Sequence, residues 1–370
     1  MRETLDKLSD TDLALGILDK IKKISEEFYE KKGRKPIFME VCGSHTMAFA
    51  KTGVKQAIEK HVTLISGPGC PVCVTDQSSI DGMIELSRKK NVIVCTFGDM
   101  IRVPGSNGSL MDEKSKGRDI HVVYSPLDAV SIAKENPEKE VVFLGIGFET
   151  TIPLLGVAID EAIRLEVNNF SIWMNTKLVE PILKYLMDLG ELEIDGFLLP
   201  GHVSIVLGKE VYQFLAEDYS VSGVISGFEP VELMSGIYHL VELQLKGKPA
   251  ILNNYSFVVK DEGNDTARQY LTKYFTYSDE AWRGIGIIAK SGLDFKEQYS
   301  EFNAKEKLPI KLLEPRKTKC RCGEIIRGVI TPPECKLFGK ACRPTNPIGP
   351  CMVSSEGTCS AYYQYMREEI

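Results

Sequence analysis

Apolar residues recur along this chain in two rhythms. Across residues 10–32, Leu13, Ile17, Ile21, Ile24 and Phe28 return every three or four positions, with Lys20, Lys22, Lys23, Glu26 and Glu27 mostly between them. That spacing predicts one amphipathic helix, stopped by Gly33. The rhythm then shortens. Compact β-branched runs at 36–41 (PIFMEV), 62–66 (VTLIS), 92–97 (VIVCTF) and 120–124 (IHVVY) begin 26, 30 and 28 residues apart. A second set, 141–145 (VVFLG), 170–175 (FSIWMN), 196–200 (GFLLP) and 223–226 (GVIS), begins 29, 26 and 27 residues apart. Helix-like segments such as 47–60 and 78–90 lie between the runs. Strands alternating with helices predict an α/β protein with helix-covered parallel sheets. The matched spacing of the two sets predicts two similar Rossmann-like domains, 36–125 and 126–245.

Past residue 246 the rhythm breaks. Segments 264–275 and 296–303 read as helices, joined by aromatic-rich connections around Tyr277, Trp282 and Phe295. From residue 320 onward the chain is rich in proline, glycine and cysteine and has little periodicity. Such a segment cannot build a core by apolar burial alone, so a cross-link must hold it. It is expected, with the N-terminal helix, to form a third unit from 1–35 and 246–370.

Composition narrows the classes. At 370 residues the chain exceeds one ordinary core, and 43% hydrophobic with 26% charged residues fits a folded globular protein. A net charge of −6 leaves no phosphate-neutralising excess, which argues against nucleic-acid binding. The opening stretch MRETLDKLSD lacks the apolar core of a secretory leader. No run approaches the ~20 apolar residues of a membrane span, so a cytoplasmic protein is expected. In a reducing compartment, ten cysteines point to metal binding or thiol chemistry rather than a disulfide framework.

The candidate chemistry clusters where the strand runs end. In open parallel sheets, ligands bind at the carboxyl ends of strands. After the first run stands Cys42-Gly43-Ser44-His45-Thr46, and after the second the loop Ser66-Gly67-Pro68-Gly69-Cys70-Pro71-Val72-Cys73. Gly98-Asp99, Gly147-Phe148-Glu149-Thr150-Thr151, Thr176-Lys177, Gly201-His202 and Gly227-Phe228-Glu229-Pro230 follow later runs. If the two edges face each other, the site is the cleft between the domains. Cys70 and Cys73 form a C-x-x-C, suited to a redox dithiol or half a metal site, unless they simply pack a tight turn. Cys42 lies three residues before His45. A helix opening there would lower the thiol pKa, and three thiols with an imidazole could bind a soft metal. Glu149 reads equally as part of a Thr-capped helix start or as a site residue. His202 reads as a turn histidine and Cys95 as a buried core cysteine. Neither a Walker loop nor a dinucleotide fingerprint is present.

Six cysteines mark the tail: Cys320, Cys322, Cys335, Cys342, Cys351 and Cys359. Their spacing lacks paired C-x-x-C knuckles. It leaves an iron–sulfur cluster, zinc or disulfides open, with nearby prolines suiting a cluster in irregular backbone.

These motifs, in this order over nearly the whole chain, resemble those of the hydrogenase maturation factor HypD family. The resemblance implies a non-enzymatic scaffold, with a catalytic redox step open to it, for assembling the Fe(CN)2CO group of nickel–iron hydrogenases. It implies a [4Fe-4S] cluster on Cys320, Cys335, Cys342 and Cys359, the family's C-x14-C-x6-C-x16-C, and leaves Cys322 and Cys351 as a redox pair. It places iron on Cys42, with the Cys70–Cys73 dithiol, His45 and Glu149 nearby. The implied partners are the small chaperone HypC, cyanide-donating HypE with HypF, and the hydrogenase large subunit reached through HypC. A cluster-dependent thiol/disulfide oxidoreductase, needing no free Cys42, is the alternative. A zinc-stapled interaction protein would need no redox activity.

Overall fold

The computed structural model describes residues 8–311, 314–316 and 318–366. Residues 1–7, the head of the stretch read for a leader, lie outside it. The helix Thr11–Lys32 forms as its pattern predicts. Asp10 accepts a hydrogen bond from the Leu13 N–H at 3.0 Å, and Gly33 closes the helix in the left-handed region. The buried face is turned from the expected stripe: Ala14, Leu18, Ile21, Ser25 and Phe28 are buried, while Leu13 is exposed.

All eight expected strands are present: β1 (Ile37–Glu40), β2 (Thr63–Ser66), β3 (Val92–Thr96), β4 (Ile120–Val122), β5 (Glu140–Gly147), β6 (Phe170–Thr176), β7 (Gly196–Pro200) and β8 (Ser222–Ser226). A short ninth, β9 (Ile251–Asn253), follows. They form two parallel sheets, ordered β2-β1-β7-β8-β9 and β4-β3-β5-β6. Strands β3, β6, β7 and β8 are buried along their whole length, as parallel strands covered on both faces require.

The expected division at residues 125 and 126 does not follow the sheets. β1 pairs with β7, Phe38 opposite Gly196 and Glu40 opposite Leu198, so the first sheet takes strands from both sets. The second sheet, β3 to β6, sits in the middle of the chain. Parallel strands of similar length and full burial carry no mark of which neighbour they will pair with, so spacing alone suggested sequential halves. The N-terminal helix also moves. It packs on the helix Pro230–Lys246 and shares a core with Phe38, Phe49, Ile58, Leu233 and Leu240, away from the cysteine-rich tail. An apolar stripe needs an apolar partner, and the first sheet's outer layer supplies it.

Segment 264–275 contains the expected helix, Asp265–Lys273, capped by Asn264. Segment 296–303 is a 3-10 turn, Glu297–Phe302. Between them stands an antiparallel hairpin that periodicity did not predict, β10 (Phe275–Trp282) and β11 (Gly286–Phe295), with an irregularity between Ser278 and Glu280. Among its described residues the tail holds only short helical turns and the helix Thr358–Tyr365. No helix among the described residues is long and apolar enough to cross a membrane.

Candidate functional site

The C-x-x-C loop lies directly on the end of β1. Gly67 donates its N–H to the Glu40 carbonyl at 2.7 Å. A Cβ on Gly69 would stand 2.3 Å from the Cys42 nitrogen and 2.4 Å from its Cα, so only glycine permits this approach. Cys70 caps the four-residue helix Pro71–Val74, with Pro71 in its first position, and its Sγ accepts the Cys73 N–H at 3.1 Å. Cys70 and Cys73 are joined as a disulfide, Cα to Cα 5.2 Å. In this state the two sulfurs are bonded to each other and are not open, with Cys42 and His45, to a shared metal.

Cys42 is the cap residue of the helix Gly43–Thr52 and is 8% exposed. Its sulfur receives backbone N–H bonds from His45 and Ser44, as a helix start should provide. The expected lowering of its pKa does not result. Burial, reinforced by the Glu356 carboxylate, pushes the thiol up to about 12, outweighing those donors. His45 is fully buried. Its Nε2–H donates to the carbonyls of Ser226 at 3.1 Å and Gly227 at 3.0 Å, which fixes the tautomer because carbonyls only accept. Its Nδ1 is buried with no hydrogen-bond partner. Burial lowers its pKa to about 4, so the ring is neutral near pH 7 with a lone pair unused. His202 is exposed on the helix Gly201–Leu207, stacked on Phe228 at 4.3 Å. Cys95 is the fully buried strand cysteine expected of it.

Glu149 comes from the second sheet, in the loop after β5. It is 2% exposed, and its Oε1 accepts the Val179 N–H at 2.8 Å, satisfying a free donor at the start of the helix Val179–Leu189. Its Oε2 is buried without a partner, and burial raises the carboxyl to about 7. The threonine-cap reading fails: Thr151 precedes the helix Ile152–Arg164 but makes no side-chain cap bond. The helix Pro71–Val74 packs on β5, so the two sheets meet at the disulfide, and the core there includes fully buried Tyr212. Its hydroxyl pairs with the Ser204 hydroxyl at 3.2 Å. Nothing in the local sequence marks Tyr212. Lys177, just past β6, is fully buried, with its Nζ 2.7 Å from Glu280 and 6.0 Å from the Trp282 ring. A lysine directly after a strand run, in the Thr176-Lys177 pair, was the available signal.

In the tail, Cys320, Cys322, Cys335, Cys342 and Cys359 line one small void with Ile325, Leu337, Phe338, Gly349 and Met352. The Cys320 and Cys322 sulfurs are 3.1 Å apart. Fully buried Cys351 hydrogen-bonds with Cys322 and Cys359 instead of lining the void. Among the described residues, no three Cys, His, Asp or Glu side chains converge on a single-ion site. Several thiols around one apolar void, with no carboxylate, make a donor set of soft sulfur ligands.

Tail and cleft are in contact. The helix Pro71–Val74 packs against the helix Cys322–Ile326 and against the turn Pro350–Met352. The loop between Cys351 and Cys359 also bridges both sheets. Ser354 Oγ donates to Asp99 at 2.8 Å after β3, and the Ser44 hydroxyl donates to Glu356 at 2.6 Å after β1. Sequence reasoning missed Glu356, an acid lodged between two tail cysteines.

The profile of the family described as "Hydrogenase formation hypA family" (HypD) matches residues 13–366. The chain is 42% identical to Hydrogenase maturation factor HypD of Escherichia coli, over 90% of this chain and 89% of that one. It is 40% identical to the protein of the same name in Rhodobacter capsulatus, over 96% of each. A putative hydrogenase expression/formation protein of Methanocaldococcus jannaschii is 38% identical over 97% of this chain and 99% of that one. With a matching profile over nearly its whole length and these relatives, the chain belongs to the HypD family of hydrogenase maturation factors.

Proposed function

We propose that this protein is the scaffold on which the Fe(CN)2CO group of nickel–iron hydrogenases is assembled, with Cys42 as the thiolate that receives the iron cargo. The observation that supports this reading is the placement beside the end of β1 of Cys42, the Cys70–Cys73 disulfide whose loop rests on it through Gly69, and the orphaned Nδ1 of His45. Cys42 is held neutral by burial and by Glu356. Bonding to an iron(II) centre stabilises the thiolate and offsets the cost of ionising it, the iron taking the place of the thiol proton. His45 is neutral and fixed by two carbonyls, so its free Nδ1 keeps a lone pair available beside Cys42 as a hydrogen-bond acceptor or a metal ligand. Glu149, with its pKa near 7, can hold or give up a proton in the same cleft.

Cys320, Cys335, Cys342 and Cys359 would hold a [4Fe-4S] cluster, which supplies one-electron chemistry when bound. The chain's own sulfurs supply two-electron chemistry. Cys322 and Cys351 as thiols can pass two electrons and two protons to the Cys70–Cys73 disulfide, leaving a Cys322–Cys351 disulfide and two thiols beside Cys42. The packing of the helix Pro71–Val74 on both tail elements supports that exchange. The small chaperone HypC is the proposed partner sharing the iron, HypE with HypF the source of cyanide, and the hydrogenase large subunit the destination. The reading is of a cytoplasmic assembly scaffold rather than a turnover enzyme.

Infrared spectroscopy tests it. Protein purified anaerobically from cells making those partners should show metal-bound cyanide and carbonyl bands that vanish in Cys42→Ala. A brown, chaperone-bound sample without such bands would favour the second reading, a thiol/disulfide oxidoreductase, for which the Cys70–Cys73 disulfide is the supporting observation. A colourless zinc-containing sample would overturn both.

A further inference from the structure

The turn of the β10–β11 hairpin reaches between the two thiol stations, and one residue in it makes one backbone and two side-chain hydrogen bonds to the end of the first station and the residues just after it. The helix Pro71–Val74 has a single turn and cannot hold itself, so its last carbonyls need outside partners. Arg283 supplies them. Its backbone N–H donates to the Val74 carbonyl at 2.9 Å and its Nε to the Thr75 carbonyl at 2.9 Å. Its Nη2 donates to Gln77 Oε1 at 2.9 Å, and Thr75 pairs with the neighbouring Trp282 as a β-bridge. The next residue binds the other station. Gly284, at φ +65°, lies so close to Gly323 that a Cβ on either would stand 2.5–2.6 Å from the other's Cα. Gly323 follows Cys322 in the chain. Arg327, at the end of that helix, donates to the Gly284 carbonyl at 2.7 Å.

We infer that Arg283 is a positioning residue for thiol exchange, holding the Cys70–Cys73 helix and the Cys322 helix in one register through the hairpin turn. The inference rests on the proposed exchange between the two cysteine pairs and names the group that makes it geometrically possible. Atoms balance within the chain: the Cys70–Cys73 bond breaks, a Cys322–Cys351 bond forms, and two protons and two electrons move the opposite way. A planar guanidinium suits the task because its fixed fork serves the Thr75 carbonyl and Gln77 together, which a lysine cannot reproduce.

The test uses the full-length, cluster-loaded protein under anaerobic conditions. Fully reduced protein receives one equivalent of diamide. Samples are quenched in acid at intervals, and disulfides are mapped by peptide mass. In the parent, the disulfide should redistribute between Cys70–Cys73 and Cys322–Cys351. Arg283→Ala should slow that redistribution at least tenfold and Arg283→Lys should recover part of it. Reduction of Cys70–Cys73 by an added water-soluble phosphine should stay at the parental rate in both variants. Parental redistribution in Arg283→Ala overturns the positioning role. So does an equal slowing of the phosphine reaction, which would mark general loosening. If the parent never forms a Cys322–Cys351 disulfide, the exchange reading itself falls and takes this inference with it.

Discussion

The close approach of Gly69 to Cys42 predicts opposite outcomes for one chemical change at two places. Gly69→Ala puts a methyl group 2.3 and 2.4 Å from the Cys42 nitrogen and Cα and 2.6 Å from the Val41 carbonyl carbon. All three are backbone atoms of the segment leaving β1, so no side-chain rotation relieves the clash. Overpacking of this kind costs ~1–3 kcal/mol, and a backbone neighbour places Gly69 near ~3 kcal/mol, roughly a hundredfold in the unfolding equilibrium. Gly16, inside the helix Thr11–Lys32, has nothing within 4 Å of an added Cβ. There Gly16→Ala should stabilise by up to ~1 kcal/mol, because alanine loses less backbone freedom in a helix. Urea unfolding followed by tryptophan fluorescence compares the two. The loop carrying Gly69 could escape the clash by lifting off β1, at lower cost in stability. Iodoacetamide labelling of Cys42, mapped by mass spectrometry, detects that outcome because the buried thiol would become reactive. A Gly69→Ala protein as stable as its parent, with Cys42 still unreactive, would show that the loop does not rest on Cys42.

Four further outcomes follow from the same geometry. Glu149 is held near pKa 7 by burial, so its contribution to stability is present at low pH and lost as pH rises through that value. Glu149→Gln should therefore gain on the parent between about pH 4.5 and 7, by at most ~1.4 kcal/mol for each pH unit climbed, and keep that gain at higher pH in urea titrations across pH. Asp195 accepts two bonds from Arg34, at 2.6 and 2.9 Å, and one from the Ile37 N–H at 2.8 Å, so Asp195→Ala should cost ~2–4 kcal/mol by chemical denaturation. Asp99→Ala removes the acceptor for Ser354 and Ser355, and should raise amide hydrogen exchange at 354–357 while leaving β3 protected. If the proposed cluster is bound, Cys335→Ser should abolish its visible absorption, whereas Cys351→Ser, outside the void, should retain it; loss in both would overturn the proposed ligand set.

The strands were legible because short, continuously apolar, β-branched runs bounded by glycine and proline have few other uses. Their partners were not. Val92–Thr96 and Gly196–Pro200 are both buried end to end, and nothing in either records which sheet receives it. The hairpin was hidden for a related reason: in Phe275–Trp282, only Phe275, Glu280 and Trp282 are buried, so the alternation that betrays a strand is broken. Cys42, Cys70 and Cys73 were legible because thiols beside glycine and proline at strand ends have a short list of roles. Arg283, Glu356 and Tyr212 were not. Each acts through a contact distant in sequence, from a segment whose local pattern is ordinary.

The crossing of the chain between sheets gives the site its shape. The chain leaves the first sheet after β2 and returns to it after β6. The first element on the outward crossing is the helix Pro71–Val74, which carries the disulfide. The first on the return is the helix Val179–Leu189, whose opening N–H is held by Glu149. Two sequential domains would have joined through one connection and could have placed it anywhere. With two crossings, both at carboxyl ends of strands, any change in the angle between the sheets is transmitted to the disulfide helix and to the helix start held by Glu149. The strap from Asp99 to Ser44 spans the same gap from the cysteine-rich side. The disulfide helix, the helix start held by Glu149 and the tail loop that joins Asp99 to Ser44 therefore all stand where the chain crosses between the sheets.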